Sequence, residues 1–441
     1  MAGSVLFGLA PMAVATAILT ATYAVIISEK INRAVVALLG AGAMIMAGVL
    51  NQEAALHGID FNTIALLVGM MILVAITRRS GVFQFVAVWS AKKVKAKPAG
   101  ILLVLQVVTA VFSAFLDNVT TVLLVVPVAL VITEEMKLKP WPFLIAIIFA
   151  SNIGGTATLI GDPPNILIGS ATGLTFNDFA INLAPVIALI QALTALFFHV
   201  VYGRKLYAAP EAQARIMAFS EKDAITDARL LRQSLAVLAL VIGGFIFAHA
   251  LGLEPGTIAL VGAALLMLFY CLGRDAESQS HEIHNIFGQV EWVTIFFFIG
   301  LFVVVHGVEV AGVLNWLAQH LVTVTGGDRA VTLVLILWAS AILSAVVDNI
   351  PFVATMIPLV KSMAPAMGGP EGLKPLWWAL SLGACLGGNG TLVGASANLT
   401  VAGLAERAGH PVRFIPFLKV AFGLMVLSIA IANIYLWLRF L

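Results

Sequence analysis

Long apolar runs separated by short polar interruptions occupy the chain from one end to the other. Runs at 4–27, 34–50, 62–77, 179–201, 234–251, 256–273, 291–308 and 414–440 are each close to the roughly 20 residues a helix needs to cross the hydrocarbon layer. They read as spanning helices. The first has no basic segment before it and more spans after it, so it reads as a retained helix and not as a cleaved signal. Two further apolar stretches in each half are interrupted by Gly, Pro, Asp and Asn: 98–133 and 141–172, then 329–361 and 375–408.

Composition agrees with this pattern. With 61% hydrophobic and 10% charged residues and a mean hydropathy of +1.05, the apolar surface exceeds what a water-soluble core can hide, and lipid must solvate it. The net charge of +2 matters less than where Lys and Arg lie. No basic patch suggests nucleic acid. Cys271 and Cys385 both stand in apolar context, too few for a disulfide framework or a thiolate metal site, and read as core residues. His249 and His306 read as packing residues, and Trp292, Trp377, Tyr202, Tyr435 and Trp437 as interfacial anchors.

The chain also repeats itself. At a constant offset of 231, Asp60 falls on Glu291, Thr63 on Thr294, Gly69 on Gly300, Gly81 on Gly312, Ser113 on Ser344, Asp117 on Asp348, Asn118 on Asn349 and Pro127 on Pro358. At 233, the twelve residues from Gly154 to Asn165 lie on those from Gly387 to Asn398 with six identities. Chance likeness of apolar segments would match Leu and Val, not a Gly/Thr/Asn frame kept in order. This gives a first repeat at 1–202, a linker at 203–233 and a second repeat at 234–441.

Basic residues fix the relative orientation of the repeats. Residues 78–97 carry Arg78, Arg79, Lys92, Lys93, Lys95 and Lys97, whereas the matching 309–328 has no Lys or Arg. Because such residues stay on the cytoplasmic side, the first loop is inside and its counterpart outside. The linker, with Arg204, Lys205, Arg215, Lys222, Arg229 and Arg232, is inside too. The repeats are therefore inverted, which requires an odd number of crossings in each.

Segment 98–133 has basic residues at both ends, so it should enter and leave on one side as a re-entrant hairpin turning at Asp117-Asn118, with its counterpart turning at Asp348-Asn349. Gly154, Gly155, Gly161, Pro163 and Pro164 break the following crossing. The expected fold is an all-α polytopic membrane protein of two inverted repeats. Each has about five crossings, a hairpin and a discontinuous helix, and both termini lie outside the cell membrane.

Backbone that leaves the helix at membrane depth survives only where protein or a water-filled cavity satisfies it. The four breaks must be buried or line a path, as in a secondary transporter. Asp117 and Asp348 stand in apolar runs, where a carboxyl is costly enough to suggest function. Each can bind a cation, take up a proton or cap the second half of its hairpin. Asp162 faces Ala395 in the other repeat, and that asymmetry makes it a third candidate for a proton or cation carrier. Asn118, Thr121, Asn152, Thr156, Thr158, Asn165, Asn349, Asn389, Thr391, Ser396 and Asn398 offer uncharged donors and acceptors for a small polar solute. No Arg or Lys lies in the core of the four broken segments, away from Arg329, Lys361 and Arg407 at their ends, so a dicarboxylate would have to be held by amides, hydroxyls and helix N-termini. No catalytic or metal residues, and no cofactor beyond a coupling H+ or Na+, are expected.

Phe115-Leu-Asp-Asn-Val-Thr-Thr121 and Ser151-Asn-Ile-Gly-Gly-Thr-Ala-Thr-Leu-Ile-Gly-Asp-Pro-Pro-Asn165 resemble the ArsB/P-protein branch of the ion transporter superfamily across essentially the whole chain. NhaD-type Na+/H+ antiporters and dicarboxylate/sodium symporters are more distant. The symporters carry Ser-Asn-Thr at each hairpin tip, where this chain has Asp117-Asn118-Val119 and Asp348-Asn349-Ile350. That difference favours a cation- or proton-linked substrate over a carboxylate. The resemblance implies an elevator motion in a homodimer, with 80–97 and 311–328 as lateral arms.

Arsenite or antimonite efflux coupled to protons is the leading functional expectation, with Na+/H+ antiport and anion or carboxylate carriage as alternatives. A channel stays open as well. Enzyme motifs such as His-Glu-x-x-His or Gly-x-Ser-x-Gly are absent. Without a nucleotide-binding loop, energy must come from an ion gradient or from an accessory ATPase.

Overall fold

The computed structural model describes residues 5, 8–28 and 30–441. Among these, the chain is helical with no strand. The first repeat contains α1 (Pro11–Ile27), α2 (Arg33–Met46), α3 (Gln52–His57), α4 (Phe61–Arg78), α5 (Val82–Lys93), α6 (Pro98–Phe115), α7 (Asn118–Glu135), α8 (Trp141–Thr156), α9 (Pro163–Thr172) and α10 (Phe176–Val201). After α11 (Pro210–Ala218), the second repeat contains α12 (Ala228–Ile246), α13 (Ala248–Leu251), α14 (Pro255–Cys271), α15 (Ala276–Phe287), α16 (Trp292–Val310), α17 (Val313–Thr325), α18 (Arg329–Val346), α19 (Asn349–Ser362), α20 (Ala364–Met367), α21 (Lys374–Gly387), α22 (Ser396–Arg407) and α23 (Phe414–Phe440).

Eight of these helices are at least 18 residues long and apolar enough to cross a membrane, and α1, α2, α8 and α14 are shorter apolar helices. The protein is a polytopic membrane protein. Three expectations shift. The first run yields a helix only from Pro11, and residues 4, 6 and 7 lie outside the described ones. The run 234–251 is cut at Phe247, where α12 ends. Residues 228–233 form the first turns of α12, with Asp227 accepting from the Arg229 and Leu230 amides, because an Asp cap starts a helix earlier than the hydropathy does.

Helices exchange between the repeats. α4 packs along α14 and α16 along α2, while α6 with α8 and α18 with α21 stay within their own halves. Glycines set the exchanged pairs. A Cβ at Gly69 would lie 2.6 Å from the Ala259 carbonyl carbon, and one at Gly300 2.5 Å from that of Ala37. The same device acts inside each half, where a Cβ at Gly154 would lie 2.3 Å from the Ala110 carbonyl oxygen and one at Gly387 2.5 Å from that of Ala341. Small residues let helix backbones approach where burial of apolar surface gives no drive for association.

Both cysteines are buried. Trp292 and Trp437 are exposed, but Trp377 is 4% exposed and therefore packs in the core instead of anchoring an interface. His249 is exposed and is not a packing residue, whereas His306 is half-buried, 3.2 Å from Glu309, and packs against Gly58.

Gly300→Leu is expected to lower stability in detergent by about 1–3 kcal/mol through overpacking, read as a lower unfolding midpoint, with Gly69→Leu giving a similar loss. Gly243→Leu, at a position with nothing within 4 Å, should leave the midpoint unchanged.

Candidate functional site

Two helix pairs and two interrupted helices converge on one point. Leu116 and Val347 leave α6 and α18 in extended conformation, and the next residue of each pair caps the following helix. Asp117 accepts from the Thr120 amide at 2.8 Å and from the Thr120 hydroxyl. Asp348 accepts from the Ile350 amide at 3.1 Å. Both aspartates thus act as caps, which leaves their remaining oxygen chemistry to their surroundings.

The interruptions between α8 and α9, and between α21 and α22, are stitched in matching ways. Ser113 and Ser344 donate to the Ser151 and Ala384 carbonyls, each at 2.6 Å. Thr158 and Thr391 donate to the Ala114 and Ala345 carbonyls. Asn165 donates to the Thr156 and Thr158 carbonyls at 3.1 and 2.9 Å, and Asn398 to those of Gly388 and Thr391 at 2.8 and 2.9 Å. These side chains do for the broken backbone what the helix ladder no longer does.

Side-chain amides then join the halves. The Asn152 Nδ2 donates to Asn389 Oδ1 at 3.0 Å and to Asn398 Oδ1 at 2.9 Å, Asn118 Nδ2 donates to Asn152 Oδ1 at 3.1 Å, and Ser381 donates to Asn165 Oδ1. Thr156 donates to the Asn152 carbonyl at 2.7 Å.

Asp162 lies where these groups meet. It is 0% exposed and its Oδ1 accepts from Asn118 Nδ2 at 3.4 Å and from Asn349 Nδ2 at 3.3 Å, one amide from each hairpin tip. Its Oδ2, the Thr121 hydroxyl and the Asn389 Nδ2 are buried with no hydrogen-bond partner among the described residues. Beside Asp162 lies a cavity of about 200 Å³, lined among others by Asp117, Asn118, Asn349, Arg33, Glu291 and Ser396. It shares Met71, Leu123 and Glu291 with a neighbouring vestibule of about 440 Å³ that reaches Arg78.

Of the residues singled out in the sequence, the structure brings Asn118, Asn349, Ser396, Asp117 and Asp162 to the cavity wall. Thr156, Thr158, Asn165, Thr391 and Asn398 hold backbone behind it, Asn152 and Asn389 join the halves, and Thr121 is buried beside them. Asp348 reaches the cavity through Arg33, whose Nη1 donates to Asp348 Oδ2 at 2.9 Å and to the Ser396 hydroxyl at 2.7 Å. Ser396 also donates to Asp348 Oδ2 at 2.8 Å. The guanidinium further reaches Thr294 at 3.3 Å and lies 5.1 Å from the Phe297 ring centroid.

Arg33 corrects the expectation that a dicarboxylate would meet only amides, hydroxyls and helix N-termini: α2 delivers a cation to the cavity wall from outside the broken segments. Glu291, Thr294 and Thr400 were missed in the same way. The available signal was that Arg33 and Glu291 each stand at the start of an apolar run.

The chain matches the citrate transporter family, CitMHS, over residues 23–383. It belongs to that family. An uncharacterized transporter of Mycobacterium tuberculosis is 43% identical over 431 residues, covering 97% of this chain and 98% of that protein. The 46 kDa membrane protein of Mycobacterium leprae is 41% identical, covering 97% and 99%. The P protein of Homo sapiens is 34% identical over 96% of this chain, which spans 59% of its length. Among solved structures, the YdaH transporter of Alcanivorax borkumensis aligns with a TM-score of 0.58 at 14% identity, covering 85% of each chain, a likeness of fold. This CitMHS protein is thus a membrane transporter and not an enzyme.

A double-mutant cycle tests the Arg33 to Asp348 pair. Arg33→Gln and Asp348→Asn should each lower the unfolding midpoint, and the double variant should lose less than the two losses together, with a coupling of about 0.5–3 kcal/mol.

Proposed function

We propose that this transporter is a secondary active cation/proton exchanger, with Na+ or Li+ as the cation and Asp162 as the group that alternates between cation and proton. The observation that carries this reading is the charge of the cavity. Asp117, Asp162 and Glu291 line it, and its one guanidinium, on Arg33, is already taken by Asp348. At an effective dielectric of about 20, a pair of unit charges about 4 Å apart interacts by about 4 kcal/mol. A citrate-like anion would meet several such repulsions and find no free cation in the cavity lining among the described residues. A small cation finds carboxylate oxygens, including the unpartnered Asp162 Oδ2, and oxygen ligands suit a hard cation.

The exchange follows from one constraint. A fully buried carboxylate is costly to leave charged and alone, so Asp162 moves across the membrane holding either a proton or a cation. Both hairpin tips donate to it, so its occupant decides how the tips sit. With the basic loops inside, the cavity and its vestibule open towards the cytoplasm. Movement of α6–α9 with α18, α19, α21 and α22 against the exchanged helices, as an elevator in a homodimer, would expose the site on the other side, where a cavity of about 570 Å³ lies beside Asp60 and Glu254. An ion gradient suffices as the energy source, without an ATPase subunit.

Proton-coupled arsenite efflux is the second reading, supported by the Asn118, Asn349 and Ser396 groups on the cavity wall. One assay separates the two. In liposomes holding a pH-sensitive dye and a proton gradient, Na+ or Li+ alone should collapse the gradient, and Asp162→Asn should abolish the effect while folding normally by gel filtration. Collapse on arsenite but not on Na+ or Li+ would replace the first reading by the second. Collapse only on citrate or chloride would overturn both.

A further inference from the structure

The two repeats differ sharply at one place away from the site. In the second, Trp338 of α18 donates its indole N–H to Asn433 of α23 at 3.3 Å, and Met425 of α23 lies against Gly390, 3.1 Å from where a Cβ would stand. These side chains fill the space between α18, α21 and α23. The corresponding positions of the first repeat, by the offset of 231 and by alignment of Phe176 and Phe179 with Phe414 and Phe417, hold Val107, Ile187 and Ala195. There the space stays open as an apolar groove of about 730 Å³ between α6, α8 and α10.

The groove runs along the outer face of the bundle to His199 near the end of α10. His199 Nδ1 is buried with no hydrogen-bond partner among the described residues. A Cβ at Gly203 would lie 3.3 Å from this nitrogen and 3.5 Å from the Ala99 Cβ, so the mouth sits where the chain enters α6 and leaves α10. Lys97, Arg204 and Lys205 stand exposed on these two segments.

An apolar trough that ends beneath exposed cations and an unpartnered imidazole has the polarity of a phospholipid, with the acyl chain along the trough and the phosphate at its mouth. Basic pockets between helices on the side of the positive loops favour anionic headgroups. We propose that this groove is a binding site for one anionic phospholipid of the leaflet on the basic-loop side. Its acyl chain lies against Val107 and Ile187, and its phosphate is held by His199, Lys97, Arg204 and Lys205. The lipid takes the place that Trp338, Met425 and Asn433 fill in the second repeat, and it touches α6, which leads to the Asp117 tip.

Native mass spectrometry of the purified protein with phosphatidylglycerol or phosphatidylcholine tests this, with unfolding midpoints as a second readout. The wild type should retain phosphatidylglycerol in preference to phosphatidylcholine, and phosphatidylglycerol should raise its midpoint. Val107→Trp, which fills the trough as the second repeat does, should abolish both effects. The triple variant Lys97→Ala, Arg204→Ala, Lys205→Ala, altered only at the surface, should lose the preference roughly a hundredfold while still binding phosphatidylcholine. Equal retention by wild type and Val107→Trp, or an unchanged preference in the triple variant, would overturn the proposal.

Discussion

Hydrocarbon offers no hydrogen bonds, and everything in this protein follows from how four breaks in its helices meet that fact. Each break exposes backbone groups at a cost of about 1–3 kcal/mol apiece if they stay unpaired. Ser113, Thr158 and Asn165 in one half, and Ser344, Thr391 and Asn398 in the other, answer those groups one by one. Because side chains repair the breaks, the breaks lie against the elements that supply them, and the two repeats are drawn to a common centre. Asn152 spans that centre by donating to both Asn389 and Asn398.

Where the repair is incomplete, chemistry becomes available. Asp162 replaces the Ala395 of the other half, so a carboxylate stands at a point where symmetry alone would place a methyl group. It takes one amide from each hairpin tip and keeps an oxygen without a partner. The second asymmetry is Arg33, which binds Asp348, while Asp117 has no such cation among the described residues. The two tip aspartates are thus held differently: Asp348 by a guanidinium from the exchanged helices as well as by its cap, Asp117 by its cap contacts among the described residues. A half-buried ion pair of this kind fixes position more readily than it adds stability.

Much of this was legible in the sequence because the duplication wrote it twice. The Asp-Asn tips and the Gly/Thr/Asn frame recur in order, and Gly and Pro mark where helices stop. The positions at which polar residues concentrate are the positions that converge. What the sequence left undecided is which amide repairs backbone and which faces the cavity, since Asn165 and Asn118 look alike until their partners are known. Arg33 lay outside the reading because its contact with Asp348 joins residues far apart in the chain and depends on how the broken segments sit against α2. Trp377 was misjudged for a related reason, as aromatic residues near a helix end anchor an interface only when that end reaches it.

Binding of a cation at Asp162 must displace its proton if one carboxylate serves both. Adding Na+ or Li+ to the purified, weakly buffered protein and following the pH of the solution measures this directly. Proton release by the wild type that saturates with cation, and its loss in Asp162→Asn, is the expected result. Proton release that persists unchanged in Asp162→Asn would contradict the account and move the coupling to another carboxylate.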